Sequence, residues 1–235
     1  MERFGIPKRR SAKQRVAHFS QSRLTLSRTP KGVLWLSMLV LRHHPASPYA
    51  RKVRIAAAQL GLADRLELST TDTADPADPL RSENPLGKIP TLLLDDGTAL
   101  YDSRVIVAYL EHLAGGAGLV PPDPARRFAA LRLEALGDGI CDAALLIRYE
   151  RTARPAAQRS ASWVELQQGK IDRALAALEA APPPAPRDIG HVAIACALGY
   201  LDLRSDGAWR VGAPKLAAWL DAFARETPAF EATRA

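Results

Sequence analysis

Two polar motifs in this sequence have the residue types that open a helix and attract an anion. Ser47 precedes Pro48, which is the arrangement of an N-cap followed by the first helical residue. Asp102 and Ser103 stand at the start of a second segment with helical apolar spacing. A helix start presents unpaired N–H groups and the positive end of the dipole to any carboxylate placed there. Ser103 adds a hydroxyl donor, and Asp102 can accept from an ammonium group.

The stretch between the two motifs reads as a turn, a strand, a tight hairpin and a second strand. Asn84 to Gly87 has turn composition, and Thr91 to Leu94 is an apolar run of strand length. Asp96-Gly97 is placed where a two-residue hairpin requires it, and Ala99 to Tyr101 returns as the partner strand. The hairpin therefore delivers the chain directly to the helix start at Asp102.

These elements, in this order and spacing, resemble the glutathione-binding half of the glutathione S-transferase family. The similarity begins with Asn84-Pro85-Leu86-Gly87-Lys88-Ile89-Pro90 and extends over nearly everything from Met38 to the C-terminus. It implies an α/β thioredoxin-like N-terminal domain followed by an all-α C-terminal helical domain. It also implies glutathione as cosubstrate, no metal, and a homodimer.

The resemblance also implies the site residues. Ser47 matches the residue facing the glutathione sulfur in the bacterial Ser-Pro-Tyr/Phe variants. The glutathione-binding positions that it implies are Lys88, Ile89, Pro90, Asp102 and Ser103. Pro90 is cis in the family, and its missing N–H frees the neighbouring backbone for a peptide-like ligand. Lys88 is either a partner of the glycyl carboxylate or a solvated surface lysine.

The expected role of Ser47 is to donate a hydrogen bond to the glutathione thiolate. It is not expected to be a nucleophile, because no His/Asp pair is placed to deprotonate it. The same stretch lines up with the Cys-Pro-Tyr-Cys motif of glutaredoxins, but Ser47 and Ala50 replace both cysteines. Taken alone, Ser47 is better explained as a plain helix cap without chemistry; the Ile89-Pro90 and Asp102-Ser103 elements in register favour the role beside the sulfur.

Charge is distributed very unevenly along the chain. The 235 residues carry a net charge of +7, yet residues 1–37 hold nine Lys or Arg and one acid, a net +8 that leaves −1 for residues 38–235. The folded body is thus not expected to bind nucleic acid. The basic extension has the composition of a transit peptide or a nucleic-acid-binding arm, or it is a non-functional extension preceding a natural start at Met38. We expect it to be disordered or to form one loose helix.

Cysteine use and hydropathy favour a cytoplasmic protein. The two cysteines, Cys141 and Cys196, lie among apolar residues in helical patterns, as buried and inert thiols do. Nothing suggests a disulfide framework, which favours a reducing compartment. No run reaches the ~18 apolar residues that a membrane-spanning helix needs.

The domain organisation predicted from the sequence has four parts. A basic extension covers residues 1–37, the glutathione-binding domain 38–114, a Gly/Pro-rich linker 115–124, and an all-helical domain 125–235. Within the last domain, Ile189 to Leu203 is apolar throughout and predicts a central buried helix. Asp188 caps it, and His191 stands where the family has an acid, so His191 is expected to be a core or capping histidine. His43 and His44 either border the site or lie at the surface.

The resemblance implies a transferase that conjugates glutathione to a small hydrophobic electrophile, as in detoxification. The electrophile is expected between the domains, where Arg148, Tyr149 and Arg151 are candidate lining residues that are equally well explained as a solvated helix end. Two alternatives stay open. One is a non-catalytic relative that binds a protein partner such as the transcription machinery. The other is a glutathione-dependent reductase or dehalogenase, although the missing cysteine at Ser47 argues against the reductase form.

Overall fold

The structure is a computed structural model that describes residues 38–185 and 187–235, all within one compact unit. The predictions for the basic extension 1–37 lie outside the described residues. The strands are β1 (Leu39–His43), β2 (Leu66–Thr70), β3 (Thr91–Leu93) and β4 (Ala99–Leu100). The helices are α1 (Pro48–Gln59), α2 (Leu80–Glu83), α3 (Ser103–Leu113), α4 (Pro124–Thr152), α5 (Ala161–Ala180), α6 (Ile189–Ser205), α7 (Trp209–Gly212), α8 (Pro214–Glu226) and α9 (Pro228–Ala232).

The four strands form one mixed sheet in the order β2-β1-β3-β4. β1 pairs with β2 in parallel and with β3 antiparallel, and β4 returns antiparallel to β3. β1 alternates buried and half-buried residues because it is central, whereas the edge strand β2 is largely exposed. Apolar residues of α1 and α3 pack on the sheet. This arrangement confirms the predicted α/β half.

The second half is entirely helical among the residues described, which confirms the predicted all-α domain. α6 is buried on nearly every side, as its uniformly apolar sequence predicts. It packs closely against α4, because a Cβ added at Gly137 would lie 2.7 Å from the carbonyl carbon of Ala193. α1 also packs on α6, so the core of the helical half is continuous with that of the sheet.

Element ends differ from the prediction by one to three residues. β2 continues to Thr70 rather than ending at Leu68, because its parallel pairing with β1 runs to the end of both strands. β4 ends at Leu100 rather than Tyr101, since the chain turns there into the cap at Asp102. The short helices α7 and α9 have too few residues for a periodic signal. Within residues 38–185 and 187–235, no helix has both the length and the apolar character needed to cross a membrane.

Candidate functional site

Strand register brings three separate chain segments to one end of the sheet. Arg42 pairs with Thr91, so the residues before β3 lie beside the loop that follows β1. Leu92 pairs with Leu100, so the residues after β4 lie beside the same residues preceding β3. The loop before α1, the Ile89-Pro90 bond and the start of α3 are therefore neighbours. We call Ser47, Ile89, Pro90, Asp102 and Ser103 the sheet-end site.

Ser47 is the N-cap of α1 and is partly exposed at this end of the sheet. Its Oγ accepts a hydrogen bond from the N–H of Ala50 at 3.2 Å. Its own N–H donates to the carbonyl of His44 at 2.9 Å, which ties the cap to the end of β1. Because the cap uses the hydroxyl only as an acceptor, the hydroxyl proton remains available for a further bond.

The turn that precedes β3 is shaped by two buried polar side chains that sequence reasoning missed. Nδ2 of Asn84 donates to the carbonyl of Lys88 at 2.9 Å and to Oγ1 of Thr91 at 3.0 Å. Oγ1 of Thr91 in turn donates to the same Lys88 carbonyl at 2.9 Å. Gly87 has φ of +58°, which a residue with a side chain rarely adopts. The available signal in the sequence was the placing of Asn84 and Thr91 on either side of a turn that contains two prolines and a glycine.

This turn presents the peptide groups of Ile89 to the site. The Ile89-Pro90 bond is cis, as the family resemblance implies. Within the part of the chain that the structure describes, the N–H and C=O of Ile89 have no hydrogen-bond partner. An unpaired donor and acceptor on one residue match the backbone of an extended peptide ligand. The Lys88 side chain is exposed and has no ion-pair partner among the described residues.

Asp102 caps α3 at the opposite side of the site. Its Oδ1 accepts from the N–H of Arg104 at 3.0 Å, and its Oδ2 accepts from Nη2 of the same arginine at 3.0 Å. Partial burial opposes ionisation of Asp102, but the bonds from Arg104 outweigh it and lower the pKa of the carboxyl group. Ser103 lies next to it with only 2% of its surface exposed. The carboxylate keeps unused lone pairs that can accept from an ammonium group.

A buried cluster of charges lies behind the Asp102 end of the site. Nζ of Lys52, in α1, donates to Glu134 at 2.9 Å and to Asp138 at 2.8 Å, both in α4. Arg104 approaches Asp138 at 3.8 Å, which joins the cluster to Asp102. Desolvation lowers the pKa of Lys52, but the two carboxylates outweigh it and the net direction is upward. Sequence reasoning missed this cluster because Lys52 is more than 80 residues away from both carboxylates in the sequence.

A cavity of about 330 Å³ opens beside Ser47, between the loop before α1 and the helical half. Its wall includes Arg51, Gly199, Leu220 and Phe230. The candidate electrophile residues Arg148 and Tyr149 do not line it. Arg151 borders a different cavity, which lies among α4, α5, α6 and α7.

The remaining candidate residues have structural roles or lie at the rim. His191 completes a capping box with Asp188, accepting from its N–H at 3.2 Å while Nε2 donates to the carbonyl of Pro184 at 2.7 Å. This confirms the capping prediction. Cys141 and Cys196 are buried, and burial raises the pKa of both thiols, that of Cys196 to about 12. Neither is a reactive thiolate at neutral pH.

Two family models match the chain. The model of the Glutathione S-transferase, N-terminal domain, matches residues 41–118. The model of the Glutathione S-transferase, C-terminal domain, matches residues 161–222. Together the two matched segments cover more than half of the 235 residues.

Known proteins with similar sequences span most of the chain. The Uncharacterized GST-like protein YibF of Escherichia coli (strain K12) is 34% identical over 188 residues, which are 77% of this chain and 92% of that protein. A glutathione transferase family member from Pseudomonas fluorescens Pf-5, solved with bound glutathione, is 45% identical with a TM-score of 0.78. The alignment covers 83% of this chain and 98% of that one. A Pf-5 family member solved with bound S-(propanoic acid)-glutathione is 44% identical, with a TM-score of 0.75 and the same coverage.

Proposed function

Since the chain belongs to the glutathione S-transferase family, we propose that it binds glutathione at the sheet-end site and joins the glutathione sulfur to a small electrophile. The observation that carries this proposal is the convergence of two helix starts and the open peptide groups of Ile89 at one end of the sheet. Each of these features is complementary to a different part of a tripeptide thiol.

The γ-glutamyl end of glutathione has a carboxylate and an ammonium group. The start of α3 supplies N–H donors and positive dipole for the carboxylate, and Ser103 adds its hydroxyl. Asp102 is held ionised by Arg104 and accepts from the ammonium group. The cysteinyl residue of the ligand pairs with the N–H and C=O of Ile89. Lys88 faces the glycyl carboxylate in this arrangement.

Ser47 is assigned the stabilisation of the thiolate. Lowering a thiol pKa from ~8.5 to ~6.5 requires about 2.7 kcal/mol of preference for the charged form. A helix dipole supplies roughly 0.3–2 kcal/mol, and one hydrogen bond to a charged group supplies roughly 1.5–3 kcal/mol. The two together are sufficient, whereas the dipole alone is not. The hydroxyl proton of Ser47, which the helix cap does not use, can supply the hydrogen bond to the thiolate.

The dithiol reductase alternative is disfavoured by the residues around α1. Ser47 and Ala50 occupy both positions at which a dithiol would stand, and Cys141 and Cys196 are buried with raised pKa values. The bound glutathione of the P. fluorescens relative supports glutathione as the ligand. The proposal also includes a glutathione-binding domain that ends at residue 114 and a helical domain that begins at residue 125. It further includes a cytoplasmic location, a homodimer and a role in detoxification.

The direct test is calorimetric titration of the protein with reduced glutathione, followed by conjugation assays with a panel of electrophiles. We expect one site per chain and catalysed thioether formation with at least one electrophile. Binding without turnover would favour the alternative in which the fold serves as a protein-binding module. Absence of binding heat over a range of temperatures would contradict the proposal.

A further inference from the structure

Arg51 is a buried cation that the proposed binding of glutathione does not use. Its side chain lies one turn after Ser47 in α1, with only 8% of the residue exposed. Nη2 donates to the carbonyl of Phe230, Nε donates to Oγ1 of Thr233 at 3.2 Å, and the guanidinium carbon lies 3.9 Å above the Phe230 ring. All of these partners are uncharged. Burial lowers the pKa of the guanidinium, but an arginine remains protonated in a protein.

Among residues 38–185 and 187–235, no carboxylate forms an ion pair with this guanidinium, and Nη1 has no hydrogen-bond acceptor. Nη1 of Arg51 packs against Gly199 of α6, where only a residue without a side chain fits. A Cβ added at Gly199 would lie 2.5 Å from Nη1. Buried charges in proteins are ordinarily paired, because an uncompensated one is costly. The charge of Glu231 acts on Arg51 only from a distance, because Glu231 is paired with Arg234. Arg51 is therefore a buried cation without a contacting counter-ion in the described chain.

Arg51 also lines the cavity of about 330 Å³ that opens beside Ser47. A volume of this size holds a small organic molecule. Apolar side chains complete much of the wall, including Leu203, Leu220 and Phe230. A molecule in this cavity is thus bounded by the proposed thiolate position on one side and by an unpaired cation on another.

Two other arginines form ion pairs with three of the four acidic side chains that line the cavity. Arg210 binds Asp202 at 2.7 Å and Asp221 at 3.1 Å, and Arg234 binds Glu231 at 2.8 Å. Asp206 remains, but it lies seven residues after Gly199, just beyond the end of α6, which is about 10 Å along the helix axis. Of the three arginines that line the cavity, Arg51 is therefore the one without an ion pair among the described residues.

We propose that the cavity beside Ser47 binds electrophiles that carry a carboxylate, and that Arg51 is the residue that selects them. This inference rests on the proposed function, because it places the electrophile next to glutathione bound at the sheet-end site. The carboxylate occupies the missing counter-ion position and receives a hydrogen bond from Nη1. Arginine is suited to this role because its planar donors match a carboxylate.

An α,β-unsaturated carboxylate illustrates the reaction with atoms and electrons balanced. The thiolate sulfur forms a bond to one alkene carbon, and the π pair of the double bond moves to the other. That second carbon takes a proton from water, which replaces the proton that the thiol released on ionisation. The carboxylate itself is unchanged, so Arg51 positions the electrophile without taking part in bond formation.

The catalytic test compares monomethyl fumarate, which has a free carboxylate, with dimethyl fumarate, which has none. We expect Arg51→Gln to lower kcat/KM for the monoester by roughly 10- to 100-fold more than for the diester, as the loss of a charge-assisted hydrogen bond implies. Arg54→Gln removes the same charge from the same helix outside the cavity and is expected to lower both rates equally or not at all. An equal loss with both esters in Arg51→Gln would overturn the proposal.

A binding test on the wild-type protein needs neither turnover nor a variant. S-(carboxyethyl)glutathione and S-(carbamoylethyl)glutathione differ only in a carboxylate against an amide of similar shape. We expect the carboxylate to bind roughly tenfold more tightly. Equal affinity of both conjugates would overturn the role of Arg51 and leave the glutathione site intact. Failure of both conjugates and of glutathione itself to bind would instead contradict the proposed function.

Discussion

The ammonium group of Lys52 lies 2.9 Å from Oε1 of Glu134, inside the junction between α1 and α4. Lys52 is 1% exposed and Glu134 is nearly as buried. Asp138 completes the coordination at 2.8 Å, so one cation is shared by two carboxylates. The helix that follows Ser47 is therefore held to the helical half by charges that salt screens only weakly.

Removal of Lys52 is expected to destabilise the protein strongly. Lys52→Met leaves two carboxylates facing each other, one of them deeply buried, and should lower the free energy of unfolding by about 3–5 kcal/mol. Chemical denaturation measures the change. The double variant Lys52→Met with Glu134→Gln removes the repulsion and should recover part of that loss. A double variant no more stable than Lys52→Met would contradict the charge-pairing account.

Two glycines of α4, two residues apart, give a matched test of helix packing. Gly137→Ala places a Cβ against the backbone of Ala193 and should cost about 1–3 kcal/mol through overpacking. Gly139 has open space around its Cβ position, so Gly139→Ala should stabilise the protein by up to about 1 kcal/mol through helix propensity. Thermal unfolding of both variants distinguishes the two effects. Equal shifts in Tm would refute the close approach of α4 and α6.

Stability should fall as the pH drops below about 6.5. Burial, together with nearby Arg54 and His44, lowers the pKa of His43, which is 5% exposed at the end of β1. Between the two pKa values, the imidazole of His43 is protonated in the unfolded chain but not in the folded one, so the free energy of unfolding falls as the pH falls. One such group contributes at most about 1.4 kcal/mol per pH unit to this dependence.

Unfolding measured between pH values of about 7.5 and 5.5 tests the role of His43 in this slope. His43→Phe removes the titrating ring and should flatten the dependence. His112→Gln, at an exposed position of α3, is the control and should retain it. An unaltered slope in His43→Phe would show that another group is responsible.

Lys88 offers a test of the glycyl end of the proposed ligand. Lys88→Ala is expected to raise KM for glutathione about two- to fivefold with kcat unchanged, the range typical of an exposed ion pair. The increase should shrink at high salt, because such pairs are screened. Lys215→Ala removes an equally exposed charge from α8 and should leave KM unchanged. Identical KM values for both variants would remove Lys88 from the site.

Local signals in the sequence were sufficient for most of the fold. Ser47-Pro48 and Asp102 are caps in the structure as predicted, because capping depends on the residue itself and the next few N–H groups. α6 is buried throughout, as its composition requires. The hairpin at Asp96-Gly97 joins β3 and β4 where the turn chemistry places it.

Contacts between side chains that are distant in the sequence could not be predicted in the same way. The Lys52–Glu134 pair and the contact of Arg51 with Phe230 join residues that are 82 and 179 positions apart. Helical periodicity marks positions as polar or apolar but does not name a distant partner. A lysine that stands between two arginines, as Lys52 does, reads as solvated, and only the packed structure shows that it is buried. The cavity beside Ser47 could not be predicted for the same reason, because its lining residues come from distant parts of the chain.

The role of Ser47 is tested by the pKa of the thiol of bound glutathione, measured by thiolate absorbance across pH. The wild-type protein should bring it from ~8.5 to near 6.5, and Ser47→Ala should raise it again by about 1–2 units as one charge-assisted hydrogen bond is lost. Ser160→Ala removes an N-cap with the same 3.2 Å geometry from α5 and should leave the thiol pKa unchanged. A bound thiol with the same pKa in wild type and Ser47→Ala would contradict the central claim.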